Sequence, residues 1–395
     1  MKRILGSLVL VSALVACSDN TIVQPDAGIA PRMSAASSVL AVSDIEALYA
    51  AVNNSANAGA RIVLAPGTYV LSTTSGGTPR PNGGRLELQP GMSLSGVAGD
   101  RSAVVIDMSH LPNASFNASF GKTGGIRVGR GAQVIEWLTL AGNVNSAAAI
   151  ETDLSDGQPT QLTVAHILTY GSIRGMDIRN LGVAMSGRRV VARIEDNEMF
   201  GNNEGIRLLN LNGAVGAQVD VTMSGNRVHD NTNGCIIEHN RASGGVIRVR
   251  SSGNRYEHNA LGCLIGGGLV AAPGVANSNA TIFEARGDAF VNNTLDVPSI
   301  DYGGVLVLGA ETPGVANSSS NNSVTVSLWG TKVSGNQNVD FQAYGARSVA
   351  NPAGISGTGN QVSIELNGVS KQIDVDAVNS LPTEAAGTNT VTVLR

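Results

Sequence analysis

The chain alternates short apolar runs with clusters of Gly, Asn, Asp and Ser. Runs such as Val219-Asp-Val-Thr-Met223 and Val246-Ile-Arg-Val249 are rich in branched residues and too short for helices, which is the pattern of strands bounded by turns. Three of the polar clusters superimpose without a gap: Asp196-Asn-Glu-Met-Phe-Gly-Asn-Asn-Glu-Gly205, Gly225-Asn-Arg-Val-His-Asp-Asn-Thr-Asn-Gly234 and Gly253-Asn-Arg-Tyr-Glu-His-Asn-Ala-Leu-Gly262. Their closing glycines lie 29 and 28 residues apart. A period in this range marks a solenoid, and the absence of long amphipathic stretches excludes the helical repeats.

Within each unit Asn197, Asn226 and Asn254 share one position, and Asn202, Asn231 and Asn259 another. Three short strands joined by turns make one rung, so identical turn residues stack at about the inter-strand spacing of 4.8 Å. An amide both donates and accepts, so such a column can bond to itself and to the turn backbone. The expected fold is all-β, a right-handed parallel β-helix. Tyr170-Gly-Ser-Ile-Arg-Gly175 and, more diverged, Glu136-Trp-Leu-Thr-Leu-Ala-Gly-Asn143 extend the array upstream; Gly287-Asp-Ala-Phe-Val-Asn-Asn293 extends it downstream, with Asp288 in the first ladder and Asn293 near the second. Pro273-Gly-Val-Ala-Asn-Ser278 recurs as Pro313-Gly-Val-Ala-Asn-Ser318, which reads as one inserted loop stacked on two successive rungs. Cys235 and Cys263 directly follow closing glycines; they are expected to form a buried thiol column after Ile206, since parallel Cα–Cβ bonds do not suit a disulfide.

A capping helix is expected ahead of the first rung. Ser43-Asp-Ile-Glu46 has the form of a capping box, followed by Leu48, Ala51 and Val52 on one face. After it come Ala60-Arg-Ile-Val-Leu-Ala-Pro-Gly-Thr-Tyr-Val-Leu71 and Gly91-Met-Ser-Leu-Ser-Gly-Val-Ala-Gly-Asp100. This succession resembles the start of many pectin-lyase-like β-helix proteins, over roughly Val42 to Val349. The resemblance implies the fold and not one activity, because such folds carry many chemistries. The catalytic motifs of the polygalacturonase-like hydrolases and of the pectate lyases are absent, no two aspartates are adjacent, and lysines beyond the leader are only Lys122, Lys332 and Lys371.

The amino terminus carries Lys2 and Arg3, an apolar run from Ile4 to Ala16, and then Cys17 within Leu14-Val15-Ala16-Cys17. The run is too short to span a bilayer and resembles a bacterial lipoprotein signal peptide; an ordinary secretory signal with an incidental cysteine is the alternative. Residues 1–16 are then the signal, Cys17 the lipidation site, 17–38 a flexible tether and 39–395 the β-helix. The expected place is the cell envelope, with Ser18 resembling the outer-membrane sorting pattern of Gram-negative cells. Without Lys2 and Arg3 the chain has 24 basic and 30 acidic side chains, a net charge of −6, which argues against nucleic acid as a partner. A monomer is expected.

Register assigns the candidate chemistry. Met199, Val228, Tyr256 and Phe290 point inward, so their neighbours point out. One outward column is Glu198, Arg227 and Arg255; the other is Tyr170, Phe200, His229 and Glu257. As a sugar groove, Tyr170 and Phe200 are stacking platforms beside Glu257, Arg227 and Arg255 hold a uronate carboxylate, and His229 is the base of a lyase. The same residues also make the ion pairs and strand formers of any exposed parallel ladder, as Asp220 and Arg248 do elsewhere. Two functions remain open: a lipid-anchored protein that binds or cleaves acidic polysaccharide, or a non-catalytic surface β-helix for adhesion or envelope organisation. His258, Asp230 and His239 could hold a metal in principle, but their spacing matches no standard ligand set and they read as solvated turn residues; His110 and His166 stand alone, and the sequence leaves cofactors and any calcium requirement unassigned.

Overall fold

A computed structural model describes residues 38–112, 124–142, 148–154, 156–270, 274–296, 303–312, 318–348, 357–369, 375–381 and 388–395. The leader, Cys17 and the tether up to residue 37 lie outside these. Among the described residues, three sheets of twelve, nine and eleven strands run the length of the molecule, with all pairings inside them parallel. Successive strands of one rung enter the three sheets in turn: Gln218–Ser224 the twelve-stranded sheet, Arg227–His229 the nine-stranded sheet and Asn233–Asn240 the eleven-stranded sheet. The protein is a right-handed parallel β-helix.

The core is one continuous stack from Val42 to Leu366. Met199, Val228, Tyr256 and Phe290 are fully buried in register, and Ile206, Cys235, Cys263 and Val305 form the expected inward column with both cysteines free. Closing glycines are required by close approach: a Cβ on Gly205 would lie 2.6 Å from the Gly234 carbonyl oxygen, and one on Gly234 2.5 Å from that of Gly262.

Both ladders form as read. Asn226 accepts from the backbone and side-chain nitrogens of Asn197 at 3.1 and 2.9 Å, and donates to the Ile194 carbonyl and to Asn254 at 2.8 Å each. The second ladder runs through Asn202, Asn231, Asn259, Asn293 and Asn336 and ends on Asp340. A third, of Asn279, Asn322, Asn360 and Asn389, closes the corner where the chain enters the twelve-stranded sheet. Its members are 43, 38 and 29 residues apart, so loops of unequal length conceal it in the sequence.

Three expectations are corrected. The helix spans Ile45–Asn53 and buries Leu48, Tyr49, Ala51 and Val52, but its N-cap is Asp44, whose side chain accepts from the Ala47 amide at 2.8 Å. Ser43 lies one residue too early for that, and Glu46 turns to Arg80 instead of reaching back. The repeated Pro-Gly-Val-Ala-Asn-Ser segments are not in register: Val275 bridges Ser318 and the ladder around them advances by 43 residues, whereas the letters repeat after 40. Residues 313–317 lie outside the described residues. His239 is not a solvated turn residue; it is fully buried in the eleven-stranded sheet, between Asn210 at 3.3 Å and the Ala280 carbonyl at 3.2 Å, and burial lowers its pKa to about 4.

Candidate functional site

The three-residue strands Leu168–Tyr170, Glu198–Phe200, Arg227–His229 and Arg255–Glu257 lie side by side in the nine-stranded sheet. Their middle residues fill the core, so each strand offers its first and third side chain to the outside. Tyr170, Phe200, His229 and Glu257 thus form one column, and Leu168, Glu198, Arg227 and Arg255 the other. All six residues expected at a site come together.

The rings of Tyr170 and Phe200 stack with centroids 5.4 Å apart, and those of Phe200 and His229 at 5.3 Å, at interplanar angles of 17° and 13°. Ring faces are therefore turned on one another along the helix axis. Ring edges, rather than faces, are what Phe200 offers outward, so the column is a rigid wall and not the open platform expected.

The charged column is closed by pairing. Glu198 takes Arg227 at 3.1 Å and also Arg101, from the turn after the strand Ser93–Ser95. Glu257 takes Arg227 at 2.9 Å and Arg255 at 2.7 Å. Partial burial works against both carboxylates, but their partners outweigh it and hold both pKa values below the ordinary range: His229, Arg101 and Arg227 around Glu198, and Arg227 and Arg255 around Glu257. The hydrogen bond that Arg227 donates to Glu257 in turn raises the Arg227 pKa. Arg227 and Arg255 nevertheless remain about half exposed, at 50 % and 49 % of their side-chain surface, so one edge of each guanidinium can still meet an anion.

His229 is only 8 % exposed and has both nitrogens engaged, Nε2 with Glu198 at 3.1 Å and Nδ1 with Asp230 at 2.5 Å. A general base must present a lone pair to the proton it removes. In this arrangement the imidazole joins two carboxylates instead, and it acts first as a structural link.

A second charged cluster escaped the sequence reading. On the outward side of the eleven-stranded sheet, Arg174 pairs with Glu204 at 2.8 Å, Arg179 with Asp177 at 3.1 Å and with Glu151, and Arg207 with Glu204 at 3.3 Å and Glu238 at 3.8 Å. Burial would raise the Glu204 pKa, but Arg207 and Arg174 bring it below the usual value; burial pushes Glu238 up and takes Arg179 down to about 9. Asp177, Arg174, Arg179 and Glu151 are all 1 % exposed or less. The signal was the strand pair Arg174-Gly-Met-Asp-Ile-Arg179 and Glu204-Gly-Ile-Arg207, where charges alternate with core residues. This cluster is sealed, whereas solvent reaches the charged column of the nine-stranded sheet, as it also reaches Arg189, Arg193 and Arg248 on the twelve-stranded sheet. No group of metal-ligating side chains with the geometry of a site occurs among the described residues.

The fold is a right-handed parallel β-helix that presents this charged column on its nine-stranded sheet. No family model and no curated protein matches the sequence. Among solved structures, the A-module of the Azotobacter vinelandii mannuronan C-5 epimerase AlgE4 is similar at 16 % identity, covering 89 % of this chain and 97 % of that one, with a TM-score of 0.40. Pectate lyase Pel9A is similar at 13 % identity, covering 90 % and 82 %, with a TM-score of 0.36. The Streptococcus pneumoniae surface protein and adhesin PfbA is similar at 10 % identity, covering 89 % and 96 %, with a TM-score of 0.30. These are likenesses of fold.

Proposed function

We propose that the protein is a lipid-anchored envelope β-helix that binds acidic polysaccharide through its nine-stranded sheet. The observation that carries this reading is the pair of half-exposed guanidiniums of Arg227 and Arg255, on adjacent strands and oriented by Glu257. Strand spacing puts their strands about 4.8 Å apart; Glu257 holds Arg255, both Glu257 and Glu198 hold Arg227, and the half-exposed guanidiniums keep donors that can meet a further carboxylate. Tyr170 and Phe200 bound the row as a wall, and Glu257 serves as its internal counter-charge. Binding is favoured over cleavage by His229, whose nitrogens are both committed to carboxylates.

The test is titration of the full-length protein with polygalacturonate and with neutral cellohexaose. Acidic polymer binds with an affinity that falls as salt rises, because exposed charges are screened. Arg227→Ala weakens the acidic polymer by about 1.5–3 kcal/mol, the range of charge-assisted contacts, and leaves neutral sugar unchanged. Ultraviolet-absorbing unsaturated products from the acidic polymer would restore a lyase role for His229; absence of any binding at millimolar concentration would overturn the reading.

A further inference from the structure

Trp137 is the largest side chain of the described residues held at positive φ, at 58°. It sits at the corner between the twelve- and nine-stranded sheets, where the chain turns through a left-handed residue on each rung from Trp137 to Gly368. The same corner is occupied by His166 and Asp196, at φ 54° and 52°, and then by Gly225, Gly253, Gly287, Gly330 and Gly368. Glycine takes this conformation freely, whereas a bulky side chain is strained in it. Five rungs thus use the residue that costs least, and the rung of Trp137 keeps an indole there. Strain retained at one position points to a use for that side chain.

The indole is also held rigidly. Its ring stacks on that of His166, centroids 4.1 Å apart at 17°, so one face is backed. Asp196, next in the column, comes within 3.9 Å of His166 Nδ1 and is exposed over 61 % of its side chain. On the amino-terminal side the column reaches Gly96, whose amide bonds the Glu136 carbonyl as the Trp137 amide bonds that of Ala165. Gly96 has no side chain to lay on the other face, and among the described residues the indole stacks only with His166. Trp137 remains half-buried, neither core nor fully free.

Position gives the ring a partner chemistry. His166 and Tyr170 are four residues apart on one rung, so the two ring columns bound the nine-stranded sheet at a separation of at most about 13 Å. Between them Arg101 donates to the Ile167 carbonyl at 3.3 Å and pairs with Glu198, which in turn holds Arg227. We infer that Trp137, backed by His166, is a sugar-stacking subsite that takes one pyranose ring of the acidic oligosaccharide on the face turned away from His166. The identity of the oligosaccharide rests on the function proposed above; the stacking does not. An apolar pyranose face on an indole is a contact that neutral and acidic sugars share, and the guanidiniums between the columns supply the preference for acid.

The protein has two tryptophans, Trp137 and Trp329, so Trp329→Phe leaves an emission that reports Trp137 alone. Titrating that full-length variant with hexagalacturonate is expected to change the emission saturably, with a midpoint equal to the binding constant measured calorimetrically. Trp137→Gly, matching the glycines at the corner, is expected to melt no lower than the native protein and to bind hexagalacturonate at least tenfold more weakly. Unchanged emission at saturation, or native affinity in Trp137→Gly while Arg227→Ala still weakens binding, overturns the subsite and leaves the proposed function standing. Cellohexaose shifting the emission while no acidic glycan binds would keep the subsite and remove the acidic ligand. If neither glycan binds, both fall.

Discussion

Asp288 occupies the place of an asparagine at the end of the first ladder and shows what one atom changes. Its Oδ1 accepts from the Asn254 amide at 2.8 Å and its Oδ2 from the Ser251 hydroxyl, inside the core and 1 % exposed. Burial raises its pKa from 3.8 to about 6 against the opposing pull of those hydrogen bonds. Between these two values the folded state holds the proton more tightly than the unfolded chain, so this group's contribution to stability is full below about pH 4, falls as pH rises, and is lost above about pH 6. The difference is on the order of 3 kcal/mol. Asp288→Asn, which continues the amide ladder without a charge, is expected to remove this slope: its stability relative to the native protein should rise between pH 4 and pH 7.5 in urea unfolding. An unchanged difference across that interval would show that Asp288 titrates as a solvated carboxylate.

At the scale of the rung, the ladder is the element that the amino-acid sequence states most plainly. Asn226→Leu strips partners from the Asn197 amide and the Ile194 carbonyl, both buried, and an unmade buried bond costs about 1–3 kcal/mol. Thr222→Ser, on the exposed side of the same rung, should cost less than about 0.5 kcal/mol. Equal melting temperatures for the two variants would contradict the ladder. Asn226 was legible because its neighbours recur at nearly constant spacing, and the outward columns were legible because strand alternation has period two. What sequence could not give follows from the same physics. Asn279 and Asn322 were hidden by loops of changing length between them. Arg174, Asp177 and Arg179 received no reading as a cluster, because one strand does not reveal what seals its outer side. Phe200 was placed on the correct face, but whether its ring lies open or stacks on His229 depends on side-chain torsions that no register fixes. Trp137 was read only as part of a diverged rung; its left-handed backbone became informative once the glycines of the same corner could be aligned with it.

For the whole molecule, attachment is the property on which the lipoprotein reading of the leader turns. No helix among the described residues is long and apolar enough to cross a membrane, and among them the large apolar side chains are packed mainly in the axial core, with a second, smaller buried cluster of Ile236, Leu261, Leu264, Leu269, Leu306, Leu308 and Tyr344. If Cys17 is the lipidation site, two acyl chains supply the attachment, and two chains are what stable anchoring requires. Cys17→Ser is then expected to move the protein from the membrane to the soluble fraction without altering its melting temperature, because the residues that form the core begin at Val42. Fractionation after a high-salt wash distinguishes the anchor from electrostatic adsorption, which salt screens. A variant that stays with the membrane after that wash would show that another element holds it, and the lipoprotein reading of the leader would fall while the β-helix and its charged face remained.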